Sequence, residues 1–281
     1  MIWAVGCGRL GFGERPPITG DDASAAADVA APRDGAPDGS LADAALVDAV
    51  APIPIGHTGQ WTVTASQLAH TPAAVTSRQI FTIATWYRST NIAEMLLCAG
   101  ISAQQQTFLW ADMTDGKVLL QHQEIANQYV AAPGMQAWAY HNLWVHLVVA
   151  VDLTQAAPDA RVRWWLDGVP QIIDPDTTPG FAQGQEVYLG DTALHTIGNK
   201  YDGSYNWTGA LAETYIIWGH ALDPSSFITG TGAATRSIAY TGPVTPESVY
   251  FDYAVPGVNG FAGQPSWDAT QISTSVSDLP Y

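Results

Sequence analysis

Between Trp61 and Phe227, no segment keeps a 3.6-residue apolar period for three turns. Short runs rich in Val, Ile, Leu, Trp and Tyr instead alternate with Gly, Asp, Pro and Asn. Segments this short cannot bury a helical face, so they must pair as strands. Strands are predicted near 60–66, 79–87, 94–100, 106–112, 117–123, 143–152, 161–167, 184–189, 194–198 and 209–219, with others at 247–254 and around 270–275. Asp115-Gly116 and Asp167-Gly168 supply the positive φ that tight hairpins need, and Tyr201-Asp202-Gly203 breaks the next pair. Parallel strands would require crossovers of about a dozen residues, and these gaps are too short for them. The expected fold is an all-β antiparallel sandwich or jelly roll.

A chain of 281 residues is long enough for one such sandwich with a full core. Trp86, Trp144 and one of Trp164 or Trp165 are expected inside, because neighbours on a strand face opposite ways. Residues 1–56 read as an N-terminal arm and linker. They open with an apolar, glycine-rich stretch, and residues 21–50 hold 11 Ala and 7 Asp, too little apolar bulk for a core. A short helix at 41–50 capped by Ser40 and a disordered acidic linker are both open for that stretch. Residues 57–229 form the sandwich. The extension 230–281 carries Tyr250, Phe251, Tyr253, Phe261 and Trp267, and is expected to pack on the sandwich or on a neighbouring subunit.

Charge narrows the partners. With 26 Asp and Glu against 10 Lys and Arg, the net charge of -16 repels nucleic acid and anionic membrane, so neither is an expected partner. No stretch approaches the ~18 apolar residues of a membrane span. The N-terminus lacks the basic and apolar regions of a classical signal, so a soluble, non-exported chain is expected. Cys7 and Cys98 read as two buried free thiols or a single bridge.

A run of motifs carries a resemblance. Leu68-Ala69-His70-Thr71-Pro72-Ala73 is followed by Ile80-Phe81-Thr82-Ile83-Ala84-Thr85-Trp86 and Leu96-Leu97-Cys98-Ala99-Gly100. Trp144-Val145-His146-Leu147-Val148-Val149-Ala150-Val151-Asp152 comes next, then Val162-Arg163-Trp164-Trp165-Leu166-Asp167-Gly168 and His195-Thr196-Ile197-Gly198. Trp207-Thr208-Gly209-Ala210-Leu211-Ala212-Glu213 and Ala221-Leu222-Asp223-Pro224-Ser225-Ser226-Phe227 close the series. In order and spacing this resembles the laminin-G-like, concanavalin A-like jelly rolls of tailed-bacteriophage structural proteins, over about 60% of the chain. Tyr240-Thr241-Gly242 with Val249-Tyr250-Phe251-Asp252 is similar to an element that follows in the phage relatives.

The resemblance implies a non-enzymatic virion protein, located on capsid or tail as a decoration, spike or fibre module. Its partners would be other virion proteins. A homo-oligomer is expected, with a trimer favoured by the likeness to phage spikes. The alternative is a lectin-like adhesin that recognises a host surface glycan.

The residues themselves offer little catalytic chemistry. Gly6-Cys7-Gly8-Arg9-Leu10-Gly11 fits a dinucleotide fingerprint, but Pro16-Pro17 stops the helix that the fingerprint needs. Glycoside hydrolysis requires two carboxylates flanking one bond. No E-x-D-x-x-E or E-x-D-x-E triplet puts them on one strand face, Glu213 stands alone before Thr214-Tyr215, and no nucleophile elbow is present, so loss of any turnover on mutating Glu213, Glu186 or Glu124 is not expected. The seven histidines lack metal-ligand spacing, and His146 reads as a hydrogen-bonded core or edge histidine. No cofactor is expected. Calcium is the one metal that the resemblance admits, with Asp112, Asp115, Asp191 and Asp202 as turn candidates. Tyr201, Tyr205 and Trp207 lie in a loop rich in Gly, Asn and Asp, as a partner-binding or sugar-stacking surface would, although Trp207 equally suits a plug at the sandwich edge. Trp3 and Phe12 are the candidate assembly contacts, since an apolar end on a weakly packing tether needs a partner.

Overall fold

The computed structural model describes residues 54–61, 66–90, 93–112, 117–124, 127–132, 142–173, 180–275 and 279–280. Trp3, Phe12, Cys7, the 41–50 segment and the Asp115-Gly116 turn lie outside the described residues. In chain order the strands are β1 (Thr58–Trp61), β2 (Gln67–His70), β3 (Ile80–Ser89), β4 (Ala93–Ser102), β5 (Gln105–Asp112), β6 (Lys117–Gln123), β7 (Asn127–Ala132) and β8 (Val145–Asp152). They continue as β9 (Val162–Leu166), β10 (Val169–Gln171), β11 (Leu194–Ile197), β12 (Gly209–Trp218), β13 (Ile228–Thr229), β14 (Arg236–Ser237), β15 (Val249–Phe251), β16 (Asp268–Thr270) and β17 (Ile272–Ser275). Helix is limited among the described residues to three single 3-10 turns.

Two antiparallel sheets face each other. One runs β10-β9-β8-β3-β12-β1-β17, with β15 also paired to β12, and the other runs β16-β2-β11-β4-β5-β6-β7. The extension beyond residue 230 therefore contributes strands to both sheets. Period-2 alternation explains the core: Phe81, Ile83 and Tyr87 of β3 meet Leu97 and Ala99 of β4, Leu109 of β5 and Leu120 of β6. The Leu, Ile and Phe side chains among them contribute about 1.5–3 kcal/mol each on burial.

The opposite face of the eight-stranded sheet is covered as well. Trp86, Val148, Tyr215, Ile217, Phe227 and Ile228 cluster there, with Tyr240, Tyr250 and Phe261 packed over them. This revises two expectations. Trp86 is buried, but beneath the extension and not between the sheets, and its Nε1 donates to Ser237 Oγ at 2.8 Å. Trp144 precedes β8, is only half-buried, and lies under the Arg88 guanidinium at 5.6 Å. Trp164 points into the core and Trp165 to the outer side, where Arg163 covers its ring at 5.3 Å.

Asp167 (φ 47°) and Gly168 (φ 73°) both take the left-handed region between the paired Leu166 and Val169, as a two-residue hairpin demands. Asp167 Oδ1 also accepts the His146 amide at 2.8 Å. The segment 184–189 is not a strand. Val187, Tyr188 and Leu189 are buried, yet the Val187 amide donates to Arg78 O at 3.1 Å and the Tyr188 amide to Thr107 Oγ1 at 2.8 Å, so the backbone is satisfied by loops and side chains.

Candidate glycan-contact surface

The loop from β11 to β12 is built from local hydrogen bonds. The Lys200 amide donates to Ser204 O at 2.9 Å and the Gly203 amide to Lys200 O at 2.8 Å, closing a turn in which Gly203 has φ 79°. Asp202 Oδ1 accepts the Ser204 amide at 3.0 Å and its hydroxyl at 2.5 Å, an Asx turn. The far end is pinned by Trp207, whose amide donates to Gly198 O at 2.6 Å and whose ring meets Tyr87 edge-on at 5.9 Å. Trp207 is 0% exposed in the inter-sheet core. It is the edge plug, and the structure removes it from the contact surface.

With Trp207 as anchor, the loop lays its two tyrosines on the outer face of β4 and β5. The Met95 amide donates to Tyr205 O at 3.1 Å, which fixes Tyr205 in a left-handed conformation, φ 53°. The Tyr205 ring lies 4.7 Å from Trp110 at an interplanar angle of 46°, and Trp110 in turn is 6.1 Å from Phe108. Tyr201 packs with Trp110 against Met95, Cys98 and Phe108. Lys200 Nζ stands 5.8 Å from the Tyr201 centroid and 5.6 Å from that of Tyr205. Tyr205 remains 47% exposed. In register with Phe108 on the same outer face lies Gln121, half-buried on β6.

Tyr201 and Tyr205 are thus brought together as the sequence suggested. Trp110, Lys200 and Gln121 were not anticipated. The alternation of Phe108 and Trp110 along β5 was the available signal for Trp110, because it places both on one face. Cys98 beneath the platform is a free thiol pushed up to about 12 by burial, so it contributes apolar surface and not nucleophilicity.

The other candidates separate. The side chains of Asp112 and Asp115 lie outside the described residues. Asp191 faces Arg78 at 3.4 Å and accepts the Thr192 amide, while Asp202 is spent on Ser204. Among the described residues, no three His, Cys, Asp or Glu side chains converge as metal ligands would. Glu186 pairs with Arg78 at 2.9 Å. Glu213 lies under the extension at 4% exposure, on a bulge of β12, where burial raises its carboxyl to about 7.

The histidines are structural in their surroundings. His195 donates from Nδ1 to Ala193 O at 2.9 Å and accepts the Gly190 amide on Nε2 at 3.0 Å, a neutral tautomer that burial holds down at about 4. His146 is lowered by burial to about 3, and its Nδ1 has no partner among the described residues, contrary to the hydrogen-bonded role expected of it.

No protein-family model matches the chain, and no curated protein does. Solved structures do match. The "putative carbohydrate binding protein" from Bacteroides ovatus aligns with a TM-score of 0.52 and 16% identity, over 82% of this chain and 62% of that one. A native heptameric SAP-like pentraxin from Limulus polyphemus aligns at 0.44 and 16% identity, over 71% and 94%. Domains LG4-5 of the mouse laminin alpha1 chain align at 0.42 and 16% identity, over 66% and 49%. At these identities the similarity is one of fold. The chain has the concanavalin A-like, laminin-G-like jelly-roll fold.

Proposed function

We propose that this chain is a glycan-binding module that acts without turnover. The observation that carries the reading is the Tyr205–Trp110 platform, a half-exposed aromatic pair fixed by a hydrogen-bonded loop and accompanied by the Lys200 ammonium. Sugar rings present apolar C–H faces and a rim of hydroxyls. An aromatic pair accompanied by Lys donors matches both features. The Bacteroides ovatus protein, similar in fold, carries a description as carbohydrate-binding, which agrees with the reading. The absence of turnover rests on the placement of Glu213 and Glu186, each committed elsewhere in the fold.

Mounting of the module on a phage particle, and its oligomerisation there, rest on the sequence resemblance alone. Antibody labelling of particles tests that setting separately.

A glycan array followed by calorimetry on the full chain tests the binding role. Tyr205→Ala, which removes a half-exposed ring, is expected to weaken the best ligand at least tenfold while leaving the thermal midpoint within a few degrees. The reading fails if no glycan on a broad array binds, or if Tyr205→Ala and Trp110→Ala both leave binding intact.

A further inference from the structure

Lys117 and Lys200 are the two lysines of a chain in which 26 carboxylates outnumber 10 cations. Such a surplus of acid ordinarily neutralises surface lysines with neighbouring Asp or Glu. Lys200 is different: it forms no ion pair with any described residue, and its Nζ is held over the faces of Tyr201 and Tyr205. Asp202 is adjacent in sequence, but its Oδ1 is occupied by the amide and hydroxyl of Ser204. Burial works against ionisation of Asp202, yet those hydrogen bonds and the charge of Lys200 outweigh it and keep the carboxyl below its usual range. An ammonium carries three donors, and ring faces satisfy its charge without accepting those donors as an oxygen would.

We infer that the saccharide bound on this platform bears a carboxylate: a uronic acid unit that packs against the exposed part of the Tyr205–Trp110 pair and whose carboxylate meets Nζ of Lys200. The inference rests on the glycan-binding reading and deepens it. The overall charge of -16 opposes an anionic ligand at long range, but at physiological ionic strength charges beyond about 8 Å are largely screened and the local cation dominates. The same charge penalises polyanions far more than a singly charged unit, which favours an isolated carboxylate over a polysulfated chain. Lys200 and the aromatic ring act on different parts of one sugar, so charge selectivity and stacking affinity are separable.

The test titrates the full chain with neutral oligosaccharides that carry a single galacturonate, glucuronate or guluronate unit, each beside its methyl ester, and with dextran sulfate. At least one acid is expected to bind tenfold or more tighter than its own ester. Lys200→Gln is expected to erase that difference by weakening the acid tenfold or more beyond any change in the ester, and Asp202→Asn, which keeps the Asx turn, to widen it.

Equal affinity of acid and ester, or equal weakening of both by Lys200→Gln, overturns the inference and leaves the glycan-binding reading standing. A preference for dextran sulfate overturns the carboxylate in favour of sulfate. Failure of every saccharide, on the array as well, removes the glycan-binding reading and this inference with it.

Discussion

Replacing Glu213 with glutamine isolates the cost of a charge that the fold places out of reach of water. Glu213 sits at a β-bulge of β12, where the pairing with β3 shifts register between Ala212 and Tyr215, and it adopts φ 45°. Burial is the main cause of its raised carboxyl, the charge of Asp252 adds to it, and the Ser237 hydroxyl, which also receives the Trp86 indole N–H, works against it. The carboxyl rises from 4.5 to about 7. Below pH 4.5 it is neutral in both folded and unfolded chains, and its contribution to stability is fully present. As pH rises from 4.5 to about 7 the unfolded chain ionises first, so stability is lost, and the loss is complete once the folded group ionises too. At 1.36 kcal/mol per pKa unit the loss totals about 3 kcal/mol. Glu213→Gln keeps the shape and an oxygen for Ser237 but cannot ionise. Urea unfolding of both proteins should therefore give nearly equal stability at pH 4.5 and a variant more stable by up to about 3 kcal/mol at pH 8. Asp252→Asn should recover part of that difference in the wild-type background. A variant with the same pH dependence as wild type, or less stable at pH 8, would falsify the account of Glu213 as a buried neutral acid.

Three further outcomes follow from the packing. Trp207→Ala empties a fully buried site and should cost about 3–5 kcal/mol in chemical denaturation; it should also loosen the 198–208 loop, read as faster amide exchange at Tyr205. Gly198→Ala places a Cβ 2.1 Å from Trp61 Nε1 at a residue with φ 94°, so the thermal midpoint should fall by an amount corresponding to about 3 kcal/mol or more; an unchanged midpoint contradicts this local geometry. In a Cys7→Ser background, Cys98 should resist thiol reagents at pH 8 and label only on unfolding; rapid native labelling refutes its burial.

Elements governed by a local rule were legible in the sequence, and those governed by what covers them were not. Asp167-Gly168 was readable because two successive positive φ angles leave few residue choices. The opposed facing of Trp164 and Trp165 was readable because alternation fixes which side chains travel together. Alternation does not say which face is which when both are buried, and the extension buries the outer face of β3, so Trp86 was assigned to the wrong side of its own sheet. Residues 184–189 have the composition of a strand, but their amides find Arg78 O and Thr107 Oγ1 before any neighbouring strand.

The candidate site shows the same limit in a sharper form. No period operates in the 198–208 loop, so Trp207 and Tyr205 look alike in sequence, although one is the loop's buried anchor and the other its exposed face. Trp110 reaches Tyr205 only because the loop returns across β4 to β5, a contact between residues far apart in the chain. Lys200 acquires meaning later still, from the lack of a described carboxylate in contact range, which no reading of neighbours in sequence supplies. A surface assembled by a strand and a distant loop is specified by closure of the fold, and its recognition chemistry becomes visible only once the partners of each polar group have been counted.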